Sequence, residues 1–227
     1  MKHLLLVFAC LSFMLSSRPL HASHIAAADL SYECLGNDNY EFTLRLYRDC
    51  QGISIPLNYN VEIAGLGSCI SNTTLIRLAK VSEVELPILC SDSSVVSACA
   101  RVSPNSGLGY QEIIYKTRVN LRAFQDCNWI ASWDECCRNN SITTISSAPP
   151  IYIYTSFIDS TVVCNNSPTI NNTPVFIVCD SNLQDISNTM IDIDGDSLVY
   201  SLVSPLQGYQ QPITCLLYTS PSPRDRG

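Results

Sequence analysis

Tyr40-Glu-Phe-Thr-Leu-Arg-Leu-Tyr47 alternates large apolar side chains with polar ones. Successive side chains of a strand point to opposite faces, so this period puts Tyr40, Phe42, Leu44 and Leu46 on one face. Ile113, Tyr115, Thr117, Val119 and Leu121 share a second such face, and Trp129, Ala131 and Trp133 a third. Asp29 to Leu35 reads as a strand, and Gly36-Asn-Asp-Asn39 as the turn joining it to the next one. Ile151 to Phe157 is rich in β-branched and aromatic residues, and Val175 to Val178 and Leu198 to Val203 are short strands. No window of ten residues carries a helical period. The expectation is an all-β chain of sandwich architecture.

The start of the chain predicts export. Lys2 and His3 precede an apolar run, Leu4 to Leu15, that is too short to span a bilayer comfortably. Leu20-His21-Ala22 before Ser23 fits a signal-peptidase site, which makes residues 1–22 a signal peptide. A membrane anchor and lipidation at Cys10 are the weaker alternatives. Between Ser23 and Thr214 stand ten cysteines: Cys34, Cys50, Cys69, Cys90, Cys99, Cys127, Cys136, Cys137, Cys164 and Cys179. An even count in an exported chain predicts a disulfide framework, with connectivity left open by the spacing. No C-x-x-C occurs and His24 is the only histidine after the signal, which argues against zinc. Adjacent Cys136 and Cys137 point to opposite faces of a strand, so each is expected to bond a different partner.

Charge narrows the partners. Residues 23–214 carry nine Lys/Arg and nineteen Asp/Glu. After Arg138 no basic residue occurs before Arg224, while Asp159, Asp180, Asp185, Asp192, Asp194 and Asp196 all fall in that stretch. Such a field disfavours nucleic acid and anionic lipid and suits a bound cation. Catalysis lacks parts: nucleophilic sites need an imidazole, and His24 sits at the mature terminus. Asp134 and Glu135, as neighbours on a strand, diverge, whereas glycosidase acids oppose each other. No phosphate-binding glycine loop is present.

Asp192-Ile-Asp194-Gly195-Asp196 is the sharpest chemical motif. Three alternating carboxylates around a turn can converge on Ca²⁺, which takes six to eight oxygens. An EF-hand is excluded on spacing, since its glycine and final glutamate would fall at Ser197 and Val203. A metal-free acidic turn is the alternative. A boundary is expected near residues 159–168, where Cys164-Asn-Asn-Ser-Pro168 reads as a linker.

Asn166-x-Pro168 followed by D-x-D-G-D-S-L-x-Y-S over 192–201 resembles the cadherin-like repeats of bacterial surface proteins. That resemblance implies that Asp192, Asp194 and Asp196 ligate Ca²⁺, with Asn165 and Asn166 of the linker contributing. The linker lacks the acidic residues of the full cadherin linker, and three aspartates with an amide fall short of six oxygens, so weak binding is expected. Ser23 to Cys34, Leu46 to Gly52 and Trp129 to Asn140 (S-H-I-x₄-L-S-Y-E-C, L-Y-R-D-C-x-G, W-x-x-S-W-x-x-C-C-R-N-N) resemble the opening domain of large secreted surface proteins of Bacteroidota. Those proteins often end in gliding-motility-associated or type IX secretion sorting domains. Residues 215–225, CLLYTSPSPRD, resemble a translated sequencing adapter. The protein is therefore expected to continue past Thr214, with residues 215–227 an artefact tail.

The expected organisation is a signal peptide (1–22), a disulfide-rich β-sandwich domain (23–160) and a truncated Ig/cadherin-like sandwich (161–214). The expected function is that of a secreted, cell-surface, non-enzymatic module, structural or adhesive, stiffened by disulfides and Ca²⁺ and meeting a glycan or protein ligand outside the cell. It is not expected to be an integral membrane protein. The rival is a carbohydrate-recognition appendage of an exported hydrolase. Trp129 and Trp133 are its candidate sugar platform, against their reading as core.

Overall fold

The computed structural model describes residues 25–67, 73–86, 97, 99, 109–121, 128–136, 138, 145, 149–158, 164–170, 172, 174 and 189–214. These residues form eleven strands and no α-helix: β1 (Ile25–Gly36), β2 (Asn39–Asp49), β3 (Asn58–Gly65), β4 (Thr73–Glu85), β5 (Tyr110–Asn120), β6 (Asn128–Glu135), β7 (Ile151–Ile158), β8 (Thr169–Ile170), β9 (Met190–Ile191), β10 (Leu206–Gly208) and β11 (Gln211–Pro212). Nine of them make one antiparallel sheet in the order β1-β2-β5-β4-β3-β6-β7-β10-β11, and β8 pairs with β9.

Local chemistry sets the first hairpin. Asn37 and Asp38 both take positive φ (51° and 61°), the backbone of a two-residue turn whose twist matches its strands. The Asn39 amide closes it on Gly36 O at 3.1 Å. After a register shift between Gly36 and Cys34, β1 and β2 stay in register from Cys34, opposite Tyr40, to Ala27, opposite Tyr47.

The sheet curls because β4 serves both halves. Thr73 to Ala79 pairs with β3, and Ala79 to Glu85 pairs with β5, with a register shift between Lys80 and Ser82. A bulge bends a strand and sharpens its twist, so β4 forms the corner between two facing layers. Rings meet in the space enclosed. Phe157 of β7 lies 5.2, 5.5 and 5.7 Å from the rings of Tyr32, Tyr40 and Phe42. Tyr59 of β3 lies edge-on to Tyr115 of β5 and Trp133 of β6. The all-β sandwich expectation is thus met by one curled sheet folded on itself.

The three alternating faces are the core. Tyr40, Phe42, Leu44, Leu46, Ile113, Tyr115, Leu121, Trp129, Ala131 and Trp133 are all buried. Burial pushes the Tyr59 and Tyr115 phenols well above the ordinary range, so both stay protonated, and Tyr115 donates to Pro56 O at 2.7 Å. β3 and β4 were not anticipated as strands, and Tyr47, on the polar side of its alternation, is buried as well. The stretch Leu198 to Val203, expected as a strand, is in no strand among the described residues, and Val199 and Leu202 stand 92% and 89% exposed. Apolar alternation makes a strand only where a neighbouring strand takes its backbone hydrogen bonds. Val175 to Val178 lies outside the described residues.

All five described cysteines are in disulfides. Cys34 bonds Cys164 across 130 residues, and Cys50 bonds Cys99 across 49. Cys136 is also disulfide-bonded. Cys69, Cys90, Cys127, Cys137 and Cys179 lie outside the described residues, as do residues 1–24 and 215–227. Among the described residues no helix is long and apolar enough to cross a membrane.

Candidate functional site

The acidic motif forms a tight turn built on Asp192. Its Oδ1 accepts the N–H of Asp194 at 2.9 Å and of Asp196 at 3.3 Å, and its carbonyl accepts the N–H of Gly195. An aspartate that bonds its own backbone two residues on is a strong turn former. Gly195 takes φ +80°, which a side chain would strain.

Asp194 faces away from this turn and reaches the linker. Its Oδ2 accepts the Asn166 backbone N–H at 2.6 Å, and its Oδ1 accepts the Asn166 side-chain amide at 2.9 Å. The other end of that amide is also committed, because Asn166 Oδ1 accepts the Cys34 N–H at 2.7 Å. Next along, Ser167 binds Tyr32 three times. Ser167 Oγ accepts the Tyr32 N–H at 2.8 Å, and the Ser167 hydroxyl and N–H both donate to Tyr32 O at 3.1 Å. The Cys34–Cys164 disulfide ties down the start of the same stretch.

The structure therefore brings together Asp192, Asp194, Asp196 and Asn166. Asn165 sits beside them, its side chain hydrogen-bonded to the Tyr32 phenol and to Asn166 O. Burial raises the Tyr32 pKa, and the charges of Asp194 and Asp192 add to the rise. Among the described residues, no group of three or more His, Cys, Asp and Glu side chains is placed to hold a metal ion. The donor set is chemically right for Ca²⁺, with hard carboxylate oxygens. The amide is turned the wrong way, however: Asn166 presents nitrogen to Asp194 and oxygen to Cys34. A cation could share Asp194 with these two N–H donors only through the lone pairs that they leave free.

Ser167 was not anticipated as part of this site. Its one sequence signal was its position between Asn166 and Pro168 in the expected linker. The pairing of Cys34 with Cys164 was equally open in the sequence.

Elsewhere, Trp129 and Trp133 are 0% and 2% exposed, so they form core and offer no sugar platform. A cavity of about 670 Å³ opens beside Trp129 and Phe157 and is rimmed by Tyr32, Asn128, Ser156 and Asn165. Its lining is uncharged. Asp134 and Glu135 are consecutive at the end of β6. No family model matches this chain, and neither a curated protein nor a solved structure matches it.

Proposed function

We propose that this chain is an exported, non-enzymatic module of a large cell-surface protein of the Bacteroidota type, structural or adhesive in role. In this reading residues 161–214 begin a cadherin-like sandwich, and Ca²⁺ at Asp192, Asp194 and Asp196 stiffens its junction with the disulfide-rich domain. The observation that carries the reading is the junction itself. The Cys34–Cys164 disulfide and the Asn166–Asp194 pairing fix the linker at two points, which is what a rod-like array of domains requires. Disulfides at Cys34, Cys50, Cys99, Cys136 and Cys164 suit an oxidising, extracytoplasmic compartment.

The test is a thermal melt of the oxidised chain with Ca²⁺ and then with chelator. A site with Kd of about 1 mM, in the range of extracellular Ca²⁺ modules, gains about 1.4 kcal/mol at 10 mM Ca²⁺ by mass action. Asp192→Ala should abolish that gain. A Tm that ignores Ca²⁺ would sink the metal part of the reading.

The uncharged cavity favours one rival. The amide and hydroxyl groups of Asn128, Asn165 and Ser156 at this cavity are the chemistry that meets the hydroxyls of a neutral sugar, as in a carbohydrate-recognition appendage of an exported hydrolase. Glycan-array binding lost in Asn128→Ala would support that rival over the structural module.

A further inference from the structure

β1 is the terminal strand of the nine-stranded sheet, and its outer edge needs a partner. Open edges present rows of N–H and C=O groups that recruit other strands. Tyr32 directs both its N–H and its C=O outward to Ser167, and the next outward N–H, at Cys34, goes to Asn166. Residues 164–168 thus lie along this edge in the place of a tenth strand. Only one of these bonds, Ser167 N–H to Tyr32 O, is backbone to backbone; a serine hydroxyl and an asparagine amide supply the rest. Pro168, which has no N–H, ends the stretch. The disulfide holds one end, at Cys164, and Ser167 is 7% exposed. Between them, the backbone N–H and the side-chain N–H of Asn166 both go to the carboxylate of Asp194, which arrives from 28 residues downstream.

We propose that Asp194 is the latch of an edge cap: by gripping both N–H groups of Asn166, it holds residues 164–168 over the open edge of β1 without a metal ion. The acidic turn built on Asp192 presents that carboxylate. The clasp uses the turn assigned above to Ca²⁺ but does not depend on a cation. Charge-assisted hydrogen bonds are the stronger kind, and Asp194 makes two of them to one residue.

Amide exchange of the intact, oxidised chain, resolved by residue, tests the latch. Asp194→Ala should speed exchange at the Cys34 and Tyr32 amides by at least about tenfold, the order expected when hydrogen bonds to a charged group are lost. Exchange at Ala131, in β6, should stay unchanged, which separates unlatching from unfolding. Asp196→Ala, whose carboxylate makes no bond to Asn166, should leave both edge amides as they are. Cys34 exchange in Asp194→Ala within twofold of the parent would overturn the latch. So would equal acceleration in Asp196→Ala. Ca²⁺ added to the parent separates the two readings. Acceleration at Cys34 would mean that the ion takes Asp194 from Asn166, which supports the latch. Stabilisation by Ca²⁺ with Cys34 exchange unchanged in both the parent and Asp194→Ala would keep the Ca²⁺ reading and overturn the latch. No response to Ca²⁺ with acceleration in Asp194→Ala would do the reverse.

Discussion

Residues 25–158 and residues 189–214 use the same kinds of apolar residue, but among the described residues the first stretch buries many of them and the second only Ile213. Phe42, Leu44 and Leu46 are 0% exposed, whereas Val199 and Leu202 of the second stretch are 92% and 89% exposed. The first stretch closes a sheet, each strand taking the backbone groups of the next. The second has only two- and three-residue strands, with β10 touching β7 at a single pair, Leu206 opposite Tyr152. It meets the sheet through Arg138 Nη2 on Leu206 O at 2.8 Å and Tyr209 edge-on to Tyr154, and it meets the linker through Asp194 on Asn166, a stretch that the Cys34–Cys164 disulfide ties to β1. The difference teaches that patterning proposes a strand and pairing decides it.

The largest effect should come from the core of the first region. Phe42→Ala removes a ring packed on Tyr32, Tyr40 and Phe157 and should cost about 3–5 kcal/mol in denaturant unfolding. A loss below about 1 kcal/mol would mean that the rings do not carry the core.

Next in size is the covalent tie between β1 and the linker that leads to the second region. Cys34→Ser with Cys164→Ser should lower stability by about 2–5 kcal/mol, because the bridge closes a long loop in the unfolded chain. Limited proteolysis should then cut within 189–214 before it cuts β2 or β6. Unchanged proteolysis of that stretch would show the polar contacts to be sufficient without the disulfide.

A smaller effect should follow acid. Hydrogen bonds from Lys116 and then Arg118 hold the Glu41 carboxyl below its ordinary value of 4.5. A depressed folded pKa gives stability that is present above the unfolded value and is lost as pH falls through the folded one. Glu41→Gln should therefore cost a fixed amount above pH 5, below about 1 kcal/mol for so exposed a cluster. The gap to the parent should close as pH falls below 4.5. A gap that widens on acidification would reverse the assignment.

The smallest effect belongs to the second region. Val199→Ser and Leu202→Ser should each change stability by no more than about 0.5 kcal/mol, because both side chains already meet water. A larger loss would mean that these residues bury against something in solution.

The core was legible because period two is a strong local signal: Tyr40 to Leu46, Ile113 to Leu121 and Trp129 to Trp133 each mark a face that the fold buries. The Gly36 to Asn39 turn was legible from its residue types alone. β3 carries the same period, Tyr59, Val61 and Ile63 alternating with Asn58, Asn60 and Glu62, though it was not anticipated as a strand, and β4 was obscured by its change of partner midway at a bulge. The acidic turn was legible as a turn, through Asp192 and Gly195. Its hold on Asn166, and the docking of Ser167 on Tyr32, were not, because those bonds span 28 and 135 residues and leave no local pattern.

The contrast between the two regions is most directly tested by native-state hydrogen exchange across the whole oxidised chain. The expected result is that amides of β2, β3, β5 and β6 open only with global unfolding, while those of 197–202 exchange at nearly unprotected rates. Protection of 197–202 equal to that of the central strands would contradict it and make the second region a folded unit in its own right.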